Sequence, residues 1–384
     1  MTRVMAGASI LSGCLLAAIV SAPLRAITQE AGSWDPRAAA AYLDERQAWW
    51  FGYPQADREG TACVSCHTTL PYALARPVLR PRLNEREPSA TETKLIGDVV
   101  TRVRAWKDVA PYYPDQTRGL PKTAESRGTE SILNAVILAR RDSSDGRLSN
   151  DLRLAFSNLW ALQMRTGELT GAWAWLYFRL EPWEGTASAY FGATLAAVAV
   201  GMAPNGYASS ADIQGNLELL RGYLVKQRER QPTFNRLMLL WASANLTGLL
   251  TPDERDALVA EAFRKQRPDG GWSLSSLGSW QRTDGSALDT ESDGYATGLA
   301  TFALQQAGVS PTEPRVQPGS AVAGSAPGHG DGPVVRFLTE QAARSGVRRR
   351  SIHERRRHGV CRVGADAGTL TSQGSWDIKG RALG

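Results

Sequence analysis

A chain of 384 residues, 42% of them hydrophobic and with 12 tryptophans among them, has material for one large core or two smaller ones. Its formal charge of +6 invites a nucleic-acid reading. The placement of the charge excludes it: residues 344–362 hold eight arginines against one acid, Glu354, and the rest of the chain is close to neutral, with no basic excess for a nucleic acid.

Met1 to Ala26 carries an early arginine, an apolar run from Val4 to Val20 and a small-residue exit, which is the pattern of a secretory signal and too weakly flanked for a lasting membrane anchor. The mature chain is therefore expected outside the cytoplasm, in the periplasm if the source is bacterial, with no transmembrane anchor after signal removal. Leu11-Ser12-Gly13-Cys14 also resembles a lipoprotein cleavage box, placed early in the apolar run, and lipidation is the lesser expectation.

Residues 27–118 read as short helices and loops, with helical stretches from Arg37 to Trp50 and from Ala90 to Trp106. Between them, in a polar and Gly-containing stretch, stands Cys63-Val64-Ser65-Cys66-His67. Thiols at this spacing can add across the two vinyl groups of one haem, and the following histidine then becomes an axial ligand of the iron. The run resembles the CxxCH haem-binding segment of c-type cytochromes, which implies covalent haem c on Cys63 and Cys66, with His67 as the proximal ligand.

Two other readings compete. A zinc knuckle needs four Cys or His ligands, but the remaining cysteines are Cys14 and Cys361, and no second histidine precedes His329. A dithiol redox pair expects a strand before the motif and a βαβ context, which this stretch lacks. A low-spin electron carrier needs a second axial ligand, and no Met or His lies between His67 and Met164. Met164, Met202 and Met238 are the distal candidates from later in the chain; the alternative is an open site.

From 119 to 316 the sequence turns helical and repeats. Residues 124–139, 186–201 and 290–305 each open on a polar, capping-type segment and run into small and aliphatic residues, apolar on nearly every face. Such helices must be buried all round. The matching serines are Ser126, Ser188 and Ser292, and a further helix from Phe234 to Leu246 falls midway in the wider gap. Paired helices of this period form an open solenoid or a closed ring.

Leu159-Trp160-Ala161-Leu162-Gln163 is followed by Gly171-Ala172-Trp173, and Phe263-Arg264-Lys265-Gln266 by Gly270-Gly271-Trp272. An outer helix ending in Gln, then a Gly-rich turn and a Trp, resembles the QW motif of the squalene-hopene and terpenoid cyclase family, across roughly residues 120–308. The resemblance implies an α/α toroid, here incomplete, with an apolar cavity. Physically, the glutamine can cap backbone groups while the indole covers helix ends, fastening each hairpin to the next. The ends bordering such a cavity nominate Glu125, Arg127, Glu184, Tyr190, Asp289, Glu291, Asp293 and Tyr295 as pocket residues. The family's Asp-x-Asp-Asp acid is missing, since no two aspartates are adjacent; Asp289 to Asp293 is the densest acidic cluster.

Residues 317–384 turn to Gly, Ser, Ala and clustered Arg, the composition of a low-complexity basic tail. The codons for Ile352 to Asp366, read one base later, can also encode another helix of the repeat, its serine opposite Glu354, 62 residues after Ser292 as Ser188 is after Ser126. The whole reads as an all-α, exported c-type haem protein. Its expected role is electron transfer with a redox partner protein, coupled to a toroid that holds an apolar or isoprenoid molecule. The alternatives are a cyclase-like or haem-dependent enzyme on that ligand and a docking scaffold.

Overall fold

In the computed structural model the described residues are 35–316, except 283, 284 and 289. The expected signal and tail, and with them Asp289, lie outside the described residues.

The chain begins with α1 (Pro36–Phe51), started by the Asp35 carboxylate accepting from the Arg37 N–H at 2.8 Å and by proline in the first turn. A tight antiparallel pair follows, β1 (Asp57–Arg58) and β2 (Thr61–Ala62), turned by Glu59 at φ 54° and Gly60 at φ 76°. Two successive positive φ values give the hairpin the twist its strands need. These are the strands among the described residues; the rest of the architecture is helical, as the pattern implies. Next come α2 (Thr69–Leu83) and α3 (Ala90–Arg104), the latter opened by a reciprocal Ser89–Glu92 capping box.

After the short α4 (Asp115–Arg118) the helices pair. They run α5 (Lys122–Asp145), α6 (Asn150–Ala161), α7 (Ser188–Met202), α8 (Gln214–Gln227), α9 (Thr233–Asn245), α10 (Pro252–Arg264), α11 (Leu274–Leu277) and α12 (Gly294–Gln306). The apolar helices form an inner layer in the order α5, α7, α9, α12, each against the next, while α6, α8 and α10 back α5, α7 and α9. Residues 190–200 of α7 are all buried, because small side chains let both neighbours approach. The capping expected at these helix starts is realised at α12, where Asp293 accepts from the Ala296 N–H at 2.7 Å. By contrast α5 and α7 start at Pro121 and Ala187 with no side-chain cap.

Both Gln–Trp segments make the same set of bonds. The Gln163 amide donates to Gly171 O and to Asn216 O, each at 3.0 Å, and the Trp173 indole donates to Leu159 O at 2.7 Å. In the second copy Gln266 donates to Gly270 O at 2.7 Å and Arg315 O at 2.6 Å, and Trp272 to Ala262 O at 2.7 Å. In each copy the indole reaches the carbonyl four residues before the glutamine, so it satisfies the frayed end of the outer helix. The glutamine ties that end to the following hairpin or its extension. Trp173→Phe keeps a ring in the core but orphans the buried Leu159 carbonyl, and is expected to lower stability by about 2 kcal/mol in urea unfolding. An unchanged midpoint would show that the bond contributes nothing.

The boundary read near residue 118 does not divide the core. The buried apolar side chains of α1–α3 and of the paired helices form one cluster, with α2 against α5 and α3 against α6. Two ion pairs cross it: Arg104 to Asp151 at 2.7 Å on the surface, and Arg102 to Glu130 at 2.7 Å inside.

Candidate haem attachment site

The β1–β2 hairpin delivers the chain to Cys63 at the seam between the first three helices and the helical pairs. Three bonds fix the approach. The Ala62 N–H donates to Asp98 of α3 at 3.1 Å, the Cys63 N–H donates to Ala56 O at 2.8 Å, and the Trp50 indole of α1 donates to Cys63 O. Beyond the motif the Ser65 hydroxyl accepts from the Thr68 N–H at 3.1 Å and Leu70 N–H closes on Ser65 O at 2.9 Å, which curls the chain into α2. The middle residues of the motif thus present Cys66 inward and leave His67 at the turn.

Cys66 is 3% exposed and Cys63 half-buried, and both are free thiols. Burial pushes both thiols up, and the Glu184 carboxylate pushes each further; Glu130 adds to the rise at Cys63, where the Arg102 charge opposes it. A dithiol redox centre needs the reverse, a lowered pKa that yields thiolate. The environment therefore runs against the redox-pair alternative. Among the described residues no three His, Cys, Asp or Glu side chains gather as a metal-ion cage, so the zinc alternative has no ligand set there.

His67 keeps an exposed surface, yet enough protein surrounds it that desolvation, with a smaller push from the Arg46 charge, lowers its imidazole pKa to about 4. The nearest described ring is the Trp183 indole, 5.5 Å from it between centroids. Trp183 donates to the Tyr295 hydroxyl at 2.8 Å and meets that ring edge-on at 5.2 Å. Tyr295 in turn stacks on Phe234 at 6.3 Å, and Phe234 meets Trp280 edge-on at 5.8 Å. Aromatic contacts thus run from His67 across the inner layer.

Glu184 brings the helical pairs directly onto the motif. Its carboxylate lies 3.8 Å from Cys66 Sγ, and burial raises its pKa to about 7 against the lowering effects of the thiol hydrogen bond and of Lys122. On the other side of the seam Arg102 and Glu130, 2% and 5% exposed, form a two-pronged pair at 2.7 and 3.0 Å. Arg102 also donates to Ala110 O at 2.9 Å and covers the Tyr112 ring at 4.2 Å. Its Nη1 is buried without a hydrogen-bond partner, as is Nη1 of Arg127, whose Nη2 donates to Val109 O. The unpartnered Arg102 nitrogen beside Cys63, with Arg127 next to it across Glu130, fits a ligand that brings carboxylates, as haem brings its propionates. The residues present therefore fit the group that the motif implies.

The sequence-nominated residues divide. Glu184 and Tyr295 reach the seam, and Arg127 lies beside Glu130 at 3.8 Å. Glu125 accepts from Lys122 and from the Tyr177 N–H at 3.1 Å, which pins the loop before α7. Tyr190 is buried and donates to Leu224 O at 2.9 Å, and Asp293 caps α12 and α11, so both hold helices. Glu291 is exposed. Met164 sits in the first Gln–Trp turn, its N–H on Ala172 O at 2.9 Å, and Met238 is buried in α9. Met202 ends α7, about 20 Å along the axis from the Ser188 end where Glu184 lies. Against His67 the fold places Trp183.

A second feature opens nearby, a cavity of about 880 Å³ between the N-terminal ends of α7 and α9, residues 275–282 and Gly285. Trp280 and Leu277 supply apolar wall, but Arg179, Arg230, Arg236, Lys265 and Arg282 face a single described carboxylate, Glu181. The loop carrying Trp183 and Glu184 onto the motif also gives Arg179 and Glu181 to this cavity.

No helix among the described residues is long and apolar enough to cross a membrane. No family model, curated protein or solved structure matches the chain.

Proposed function

We propose that this chain is an exported c-type haem protein, a cytochrome-like segment docked on an incomplete cyclase-like α/α toroid, that exchanges electrons with a redox partner protein. The observation that carries the reading is the packing of the CxxCH run into the seam, with Cys66 buried against Glu184 and the Trp183 indole of the helical pairs 5.5 Å from the His67 ring. Haem bound there supplies one-electron chemistry at an iron held by His67. Cys63 and Cys66 fasten it, and the Arg102 and Arg127 guanidinium groups accept its acidic edge. Glu184 covers the buried Cys66 and Trp183 packs beside the histidine, and burial of the attachment point lowers the reorganisation that accompanies electron transfer. The contacting aromatics from Trp183 through Tyr295 and Phe234 to Trp280 join this site to the cavity, which favours electron exchange with something held there over a scaffold role.

Expression of the full chain with haem-maturation machinery tests the reading. Porphyrin should stay with the polypeptide through denaturation and organic extraction. Cys63→Ala or Cys66→Ala should leave a single thioether, with the reduced absorption band shifted to longer wavelength, and the double variant should lose all covalently held porphyrin. A colourless polypeptide from cells competent in such maturation overturns it.

A further inference from the structure

The cavity beside the seam carries chemistry that the haem reading does not use. Arg236 is engaged by Glu261 at 3.1 Å and Arg282 by Ala287 O at 2.6 Å. Arg179, Arg230 and Lys265 have no side-chain hydrogen bond or ion pair among the described residues, although all three border the same space. Unpaired like charges gathered around one concave surface raise its potential above that of the same charges spread over an open face. They repel one another, and a folded chain keeps them together at a cost that a bound counter-charge removes.

The backbone adds to the same field. Ala187 and Pro232, the residues from which α7 and α9 start, line the cavity, and neither helix has a side-chain cap. The positive ends of 15- and 13-residue helices therefore border this space. Glu181 is the opposing described charge, and its Oε1 is already held by the Thr186 N–H at 2.9 Å and hydroxyl at 3.2 Å. The site is thus built for negative charge, with Trp280 as a flat wall that can cover an apolar portion of the same molecule.

We propose that this cavity binds a small multivalent oxyanion, phosphate-bearing or polycarboxylate, between Arg179, Arg230 and Lys265. The assignment goes beyond the haem reading and does not depend on it. It also replaces the purely apolar ligand suggested by the cyclase resemblance with an anionic one.

Calorimetric titration of the full-chain protein with inorganic pyrophosphate, and separately with citrate, at matched ionic strength against chloride, tests it. Saturable one-to-one binding of at least one of the two is expected; the tighter of them identifies phosphate or carboxylate as the preferred head group. Arg230→Gln with Lys265→Gln removes two charge-assisted contacts from an exposed rim and should weaken that binding about tenfold or more. Lys226→Gln, a cation on the outer helix α8, should leave it within about twofold. Heats that do not saturate at millimolar anion, or equal losses from the rim and the α8 variants, overturn the proposal. Anion binding is read on the polypeptide itself, so porphyrin loss and anion loss are scored separately.

Discussion

Arg102→Met is expected to cost the fold about 3–5 kcal/mol, because it strands Glu130 as an unpaired carboxylate in the interior. Glu130 is 5% exposed and takes both prongs of the guanidinium, at 2.7 and 3.0 Å. Burial pulls its pKa upward while Arg102, and less strongly Arg127, pull it down, so removing Arg102 takes away the main opposition to burial. The same arginine holds Ala110 O and covers Tyr112, which joins α3, the connection to α5 and α5 itself. Urea unfolding of the parent and the variant measures the loss. The double change Arg102→Met, Glu130→Gln should regain a large part of it, since no formal charge is then buried alone. A single variant within about 1 kcal/mol of the parent would show that Glu130 finds water or another cation without strain.

The second large effect is expected at Gly171. Its φ is +96°, a region in which a side chain is strained, and a Cβ there would fall 2.0 Å from Leu219 O, a backbone atom that cannot rotate aside. Gly171→Ala must therefore push the first Gln–Trp turn away from α8, and with it the Gln163 bridge to Asn216. Strain and overpacking together are expected to lower stability by about 3 kcal/mol or more. The control is Gly167→Ala, with positive φ but no atom within 4 Å of a new Cβ, which carries the conformational cost alone. Equal losses at the two positions would refute the close-approach argument.

The helical architecture was legible because its signals are local. Inner helices such as α7 are apolar on every face, so burial follows from composition alone, and the Gln–Trp segments carry their bonding partners within a few residues. Helix starts were less legible. A polar residue near a start does not tell whether it caps, and Asp293 does so while the starts of α5 and α7 use none.

The seam was legible at one side only. CxxCH is a five-residue signal, but the residues that enclose it are long-range: Trp183 and Glu184 from the loop before α7, Arg102 and Glu130 from two helices. Glu184 was within reach as a polar residue near an inner-helix start. Trp183 carried no sign beyond adjacency to it. The basic cavity was hidden for a different reason. Its cations are scattered from Arg179 to Arg282 among acids that cancel them in any running sum, and only the fold separates the two signs.

The position of Cys66 constrains the timing of maturation. A sulfur 3% exposed and covered by Glu184 cannot be reached by a ligase once the loop before α7 has docked. If the chain is exported amino end first and carries haem as proposed, residues up to Arg118 would emerge well before that loop, leaving an interval in which the thioether bonds could form on an open segment. Pigment would then have to arrive during secretion, before the later helices close over Cys66.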